Sequence, residues 1–255
     1  MTFTLGQLEF FLAILVRIST FVYTAPFFSI NSVPQRVKIG ISVMLAYVVF
    51  TMLPYEPLEY AGSLGYALLV AKEAIAGLMM GLFANISNRI LSFAGQLIDM
   101  EIGFSMANEF DPTTKMTVSL SSNLYNYSVM LIMLVSRMHF YIIDAVVDSF
   151  QVIPTGNVVL HGSVYELMLQ YITDFCVIGF RIALPVFATL MIVNTVLGIL
   201  ARVAPQMNMF VVGMQLKVLI GLAVMIIMIL NLDSISDFIF NEMMLMLKSV
   251  IQYLH

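Results

Sequence analysis

The 255-residue chain contains no tryptophan, one cysteine and three histidines, and only 10% of its residues are charged. Each shortage removes a class of chemistry. The lone Cys176 can close no internal disulfide and no multi-cysteine metal cluster, and its place in an apolar run makes a buried, inert thiol the expectation. His139, His161 and His255 are isolated from one another and no H-E-x-x-H occurs, so a zinc hydrolase has no support. There is no G-x-S-x-G elbow, P-loop or G-x-G-x-x-G, and no obvious catalytic pairing of carboxylates. No catalytic residue, cofactor or metal ligand is therefore expected. The 11 Lys and Arg are scattered singly in a chain of net charge −4, leaving no basic stripe for nucleic acid. No Ser/Gly/Pro-rich linker, low-complexity stretch or internal repeat divides residues 1–255, which read as one domain.

What is present is apolar. Hydrophobic residues make up 61% of the chain and the mean hydropathy is +0.99, well above the roughly 45–50% apolar content of soluble domains. Apolar runs recur at Phe10 to Phe28, Ile39 to Leu53, Ala61 to Ala84, Leu120 to Val135, Val164 to Leu200 and Phe210 to Leu230. Prolines 26, 34, 54, 57, 112, 154 and 205 punctuate them at places suited to hairpin turns, whereas Pro185 lies inside a run and should kink it. The pattern predicts an all-α, multi-helix, membrane-associated protein. Ile39 to Leu53 is short of the roughly 20 residues a span needs, and Phe140 to Ile153 carries Asp144 and Asp148, so both are poor spans alone. The N-terminal run has no preceding basic region and contains Arg17, unlike a cleavable signal peptide. Arg36 and Lys38 after the first run, and Arg89 and Lys115 after the third, favour an N-terminus outside the cytoplasm.

Two segments are amphipathic. From Ala84 to Gly103 the residues Asn85, Asn88, Arg89, Ser92, Gln96 and Asp99 recur at three- and four-residue spacing, predicting a helix with one wet or hydrogen-bonded face. Within residues 84–119 this helix runs on into a loop. In the tail, residues 232–255, Ile235, Ile239, Met243, Met246, Val250 and Leu254 share one side, which should lie on a surface or a partner.

The informative oddity is a set of ionisable residues inside apolar runs: Arg17, Lys72, Glu73, Asp174, Arg181 and Lys217. Lys72 and Glu73 together cost about 5 to 7 kcal/mol at a bilayer centre, while the eight Leu, Ile, Val and Phe of their run return about 2.4 to 4.8. Asp174 and Arg181 share a helix face at a rise of roughly 10 Å, too far for a direct bond. Burial against other protein is the economical explanation, and an ion or proton pathway is the functional alternative. Gly77 and Gly81 form a G-x-x-x-G, a spacing that lets helices approach closely.

Two stretches carry a resemblance. One is Gly95-Gln-Leu-Ile-Asp99-Met-Glu-Ile-Gly103-Phe-Ser-Met-Ala-Asn-Glu-Phe-Asp111-Pro112; the other runs from Ala183-Leu-Pro185 through Asn194 and Gly198 to Arg202-Val-Ala-Pro205-Gln-Met-Asn208-Met-Phe210. Together they resemble the FliR family of flagellar biosynthetic proteins. Further matches are Arg17, Ala25-Pro26-Phe27, Pro34-Gln-Arg36, Glu73 with Gly77, the turn at Ser149-Phe150 and Pro154, and Gly213 with Leu216-Lys217 and Gly221. The chain departs from the family at Arg137-Met-His139, where a Gly-His-His-like sequence is common.

The resemblance implies a subunit of a type III export gate in the bacterial inner membrane and flagellar basal body. FliP-like, FliQ-like and FlhB-like partners, membrane lipid and unfolded exported flagellar proteins would surround it, and its helices would stack as hairpins in a helical multi-subunit array. It further implies that Gly103, Phe104, Ser105, Met106, Asn108, Phe110, Asp111 and Pro112 belong to a loop that plugs the closed channel. The striped residues Asn85, Asn88, Ser92, Gln96 and Asp99 would face pore or partner. Arg17, Lys72, Glu73, Asp174, Arg181, Arg202, Pro205, Asn208 and Lys217 would serve inter-subunit packing or charge pairing. A virulence injectisome subunit shares this pattern, and a secondary transporter using the embedded charges is the reading from a different class.

Overall fold

The computed structural model describes residues 4–29, 33–104, 119–159, 164–206 and 208–254; residues 105–118, which hold most of the expected plug loop, and His161 and His255 lie outside that set. Among the described residues there are eight helices and no strand: α1 Leu5–Thr24, α2 Gln35–Met52, α3 Gly62–Ile102, α4 Leu120–Val135, α5 Met138–Val152, α6 Val164–Val203, α7 Met209–Ile229 and α8 Leu232–Tyr253.

Local chemistry sets the helix ends. α1 starts at a capping box, the Thr4 hydroxyl accepting from the Gln7 backbone N–H while the Gln7 side chain accepts from the Thr4 N–H. Gly103, at φ +95°, ends α3 and donates its N–H to the Asp99 carbonyl at 3.1 Å. Ser119 opens α4: its hydroxyl accepts from the Ser122 N–H at 3.2 Å and its carbonyl accepts from the Asn123 N–H at 3.2 Å. α4 and α5 are separated by Ser136 and Arg137, and Arg137 adopts the left-handed region at φ +60°, unusual for a residue with a side chain. α6 continues through Pro185 as one helix.

Five helices, α1, α2, α3, α6 and α7, are long and apolar enough to cross a membrane, and α4 with α5 qualifies only as a broken pair. The chain is thus an all-α membrane protein. α2 qualifies because the helix begins four residues before its apolar run, at Gln35 just after Pro34, which supplies the missing length.

The chain divides into two compact units. The first holds residues 1–87, 136–171 and 240–255, and its core gathers Ile14, Ile18 and Phe21 of α1, Met80 and Phe83 of α3, Ile142 and Phe150 of α5 and Met243, Met246 and Val250 of α8. The tail's apolar side, expected to lie on a surface or a partner, is largely buried: Ile239, Met243, Met246, Val250 and Leu254 are all inside the chain. It closes on its own chain, where Tyr171 donates to the Met246 carbonyl at 3.4 Å and the Val159 N–H to the Leu254 carbonyl at 3.1 Å. The second unit holds residues 88–135 and 172–239, with Ile90, Ile98 and Ile102 of α3, Tyr125 and Met133 of α4 and Val186 and Leu190 of α6 fully buried. Cys176 is exposed rather than buried, because an apolar helix in such a chain leaves much of its surface open to lipid or protein.

Candidate functional site

In the first unit the G-x-x-x-G sets α3 directly on α1. A Cβ at Gly77 would stand 2.0 Å from the Arg17 carbonyl oxygen, and one at Gly81 would stand 2.0 Å from the Thr24 hydroxyl, so only glycine permits this approach. The closeness brings Arg17 and Glu73, both fully buried, into a two-pronged ion pair: Nε donates to Oε2, and Nη2 to Oε1 at 3.0 Å. The turn after α5 completes it. Arg17 Nη1 donates to the Ile153 carbonyl at 3.1 Å, the Gly156 N–H donates to Glu73 Oε1 at 2.8 Å, and the guanidinium lies 4.2 Å above the Phe150 ring. Gly156 holds φ +96° at this point. Arg17 and Glu73 were assigned to inter-subunit packing or charge pairing; the structure pairs them with each other within the chain, because their helices pack at glycine distance. Lys72, one residue away on the helix, is exposed.

In the second unit the polar stripe meets α4. A Cβ at Gly95 would stand 2.3 Å from the Ser122 nitrogen, an approach that lets Ser122 donate its hydroxyl to the Ser92 carbonyl at 2.6 Å. Asn126 donates its amide to the Ser92 hydroxyl at 2.7 Å. Asp99, 2% exposed, accepts from the Ser119 hydroxyl at 2.6 Å, the Ser121 N–H at 3.2 Å and the Ser121 hydroxyl. The carboxylate thus sits at the N-terminus of α4, where free N–H groups favour negative charge. Four residues after it, Gly103 ends α3, so Asp99 ties the point where the chain leaves α3 to the point where it enters α4. The segment it brackets, residues 104–118, is where the plug residues were expected. Of those residues only Gly103 and Phe104 are described: both line a groove with Met214 and Leu219 of α7. Ser105, Met106, Asn108, Phe110, Asp111 and Pro112 lie outside the described residues.

The rest of the stripe divides. Asn85, in the first unit, donates to the Thr24 carbonyl at 2.8 Å and the Ser29 hydroxyl at 3.2 Å; Asn88 is half-buried and Gln96 exposed. The hydrogen-bonded face predicted from its spacing is real at Asn85, Ser92 and Asp99, and its partners belong to the same chain. Arg181, Arg202, Pro205 and Asn208 are exposed and Asp174 is half-buried. Lys217, half-buried, shares a crevice with Glu101, Asn194 and Phe210. Sequence reasoning missed Ser119, Ser121 and Ser122, whose polar cluster just ahead of the Leu120 run was a legible helix-start signal, and the Gly156 N–H, which no signal announced. Among the described residues no group of three or more His, Cys, Asp or Glu could hold a metal ion.

Similarity to known proteins covers almost the whole chain. Residues 8–243 match the family described as bacterial export proteins, family 1. The flagellar biosynthetic protein FliR of Bacillus subtilis (strain 168) is 34% identical over 222 residues, 85% of each chain. That of Escherichia coli (strain K12) is 26% identical over 240 residues, covering 94% of this chain and 92% of the relative. That of Aquifex aeolicus (strain VF5) is 29% identical over 232 residues, covering 89% and 88%.

Proposed function

This chain belongs to the bacterial export proteins, family 1, and on that premise we propose that it is a non-enzymatic core subunit of the flagellar type III protein export gate. It sits in the inner membrane at the flagellar basal body, with FliP-like and FliQ-like subunits around the conduit for unfolded flagellar proteins and a FlhB-like subunit alongside. The observation that carries this reading is the 34% identity to a flagellar biosynthetic protein over 85% of both chains. The flagellar assignment is preferred to an injectisome because the relatives bear flagellar names. Much apolar surface supports life in an assembly: Met44 and Tyr47 of α2 and Leu219 and Ile226 of α7 are each 60% or more exposed in the isolated chain. Lys72, Arg202 and Asn208, also exposed, are the residues we assign to subunit contacts.

Within that role residues 103–112 form the plug, and Asp99 with Ser119 and Ser121 fixes its two roots. Several charge-assisted hydrogen bonds hold the end of α3 to the start of α4. Deleting Phe104 to Phe110 should raise ion and small-solute leak across the membrane while the chain still co-purifies with its partners. A membrane that stays equally tight would remove the plug from the proposal. Loss of motility with secretion of virulence effectors intact, in a strain lacking the chain, tests the flagellar assignment separately.

A further inference from the structure

The crevice that Lys217 shares with Glu101 lies wholly in the second unit, where the last turn of α3 meets α6 and α7. A Cβ at Gly213 would stand 3.2 Å from the Leu197 side chain, so the bare glycine lets α7 come in close to α6 one turn before Lys217. Leu197 and Ile102 supply a buried apolar lining. The remaining space, about 250 Å³, is shared by three polar side chains, one from each helix: Glu101 of α3, Asn194 of α6 and Lys217 of α7. All three are half-buried, and none of these side chains has a hydrogen-bond or ion-pair partner among the described residues. Glu101 and Lys217 thus line one crevice without pairing with each other. Met100, Phe210 and Met214, which also line it, are exposed.

Polar groups taken this far out of water cost free energy until they are hydrogen-bonded, and the exposed apolar side chains around them need an apolar cover. A helix of a neighbouring subunit meets both needs. The charges decide what that helix must carry. A carboxylate set against Lys217 would be repelled by Glu101, and an ammonium or guanidinium set against Glu101 would be repelled by Lys217. A carboxamide suits both at once, its NH2 donating to Glu101 and its oxygen accepting from Lys217. Asn194, a carboxamide itself, can bond either end of such a group. The helix backbone offers no substitute, because its N–H and C=O groups are already bonded to each other. Resting on the export-gate reading above, we propose that this crevice is a socket for an Asn or Gln side chain on a helix of a neighbouring subunit.

The test uses the complex purified through this chain, with companion subunits counted by native mass spectrometry and the chain's fold followed by thermal unfolding. Lys217→Met should lower companion retention about tenfold, the weight of one buried hydrogen-bonding group left unmatched, and Glu101→Leu should do the same. Lys217→Gln and Glu101→Gln, which keep a donor and an acceptor, should preserve most of it. Unchanged retention in folded Lys217→Met overturns the proposal. Glu101→Lys should also lower retention, since two cations leave the amide's NH2 without an acceptor; raised retention would give the crevice to a carboxylate and overturn the proposal. The double change Lys217→Met with Glu101→Leu should lose the companion as well, because the partner's amide is stranded. Full retention there would show that the two charges answer only each other, and the socket would fall. Where a variant does not fold, p-benzoylphenylalanine in place of the exposed Phe210 decides. Its photo-crosslink should map to a companion peptide with Asn or Gln within one helical turn, and a peptide without either overturns the proposal. A wild-type complex that holds no companion subunit would overturn the export-gate reading, and the socket with it.

Discussion

α3 buries two carboxylates, Glu73 in the first unit and Asp99 in the second, and they are satisfied in opposite ways. Glu73 meets a guanidinium, a backbone N–H and, through Arg17, the Ile153 carbonyl; its partners sit on α1 and on the turn after α5, far away in sequence. Asp99 meets neutral hydroxyls and the start of α4, all within a short stretch of chain. The first arrangement fastens separate helices together with a charge that cannot be left alone. The second holds the two ends of one segment with bonds to neutral donors. A buried ion pair adds little net stability over a well-packed apolar pair, yet removing one partner is severe; a carboxylate bound to hydroxyls loses less when one bond goes.

The largest effect should follow Arg17→Ala, which strands Glu73 in a buried site and should cost about 3–5 kcal/mol, read as a lower unfolding midpoint in detergent. The double change Arg17→Met with Glu73→Leu should recover most of that loss. If Arg17→Ala melts with the wild type, Glu73 has another partner and the contrast with Asp99 fails. Gly77→Ala comes next, since its methyl would collide with the Arg17 carbonyl; about 1–3 kcal/mol is expected, and the ion pair should loosen with it.

Asp99→Asn keeps the side chain's shape and removes its charge, so about 1–3 kcal/mol should be lost, accompanied by increased leak in cells. A loss as large as that of Arg17→Ala would show that Asp99 fastens the unit instead of the segment's roots. The smallest effect lies outside the membrane helices, at Tyr60 between α2 and α3, whose hydroxyl donates to Glu9 at 2.7 Å. That hydrogen bond to a carboxylate raises the Tyr60 pKa above 10.0. A raised folded value means that any stabilisation is fully present below pH 10 and is lost as pH climbs through the higher value. Titration by ultraviolet absorbance should show one fewer late-ionising tyrosine in Tyr60→Phe than in the wild type.

Much of the fold was legible because apolar runs and proline breaks are local signals. The runs beginning at Leu120, Val164 and Phe210 fall on α4, α6 and α7 nearly end to end. The G-x-x-x-G and the stripe of Asn85, Ser92 and Asp99 correctly marked faces where helices approach or bond. What was misplaced were destinations. Cys176, read as buried, is exposed, and the tail, read as lying on a surface or partner, buries most of its apolar side within its own chain. Periodicity names the face of a helix but carries no information on what covers it.

Hydropathy and its patterning along the chain already marked a helical membrane protein, since the apolar character of a run is a property of its residues one at a time. Tertiary structure decided which embedded charges are answered inside the chain. Arg17 and Glu73 lie 56 positions apart, and only the contact of α1 with α3 at Gly77 brings them together. Lys72, next to Glu73, stays exposed because neighbouring residues on a helix point in directions about 100° apart. Whether a charge inside an apolar run is satisfied thus depends on helix packing, which neighbouring residues in the sequence do not specify.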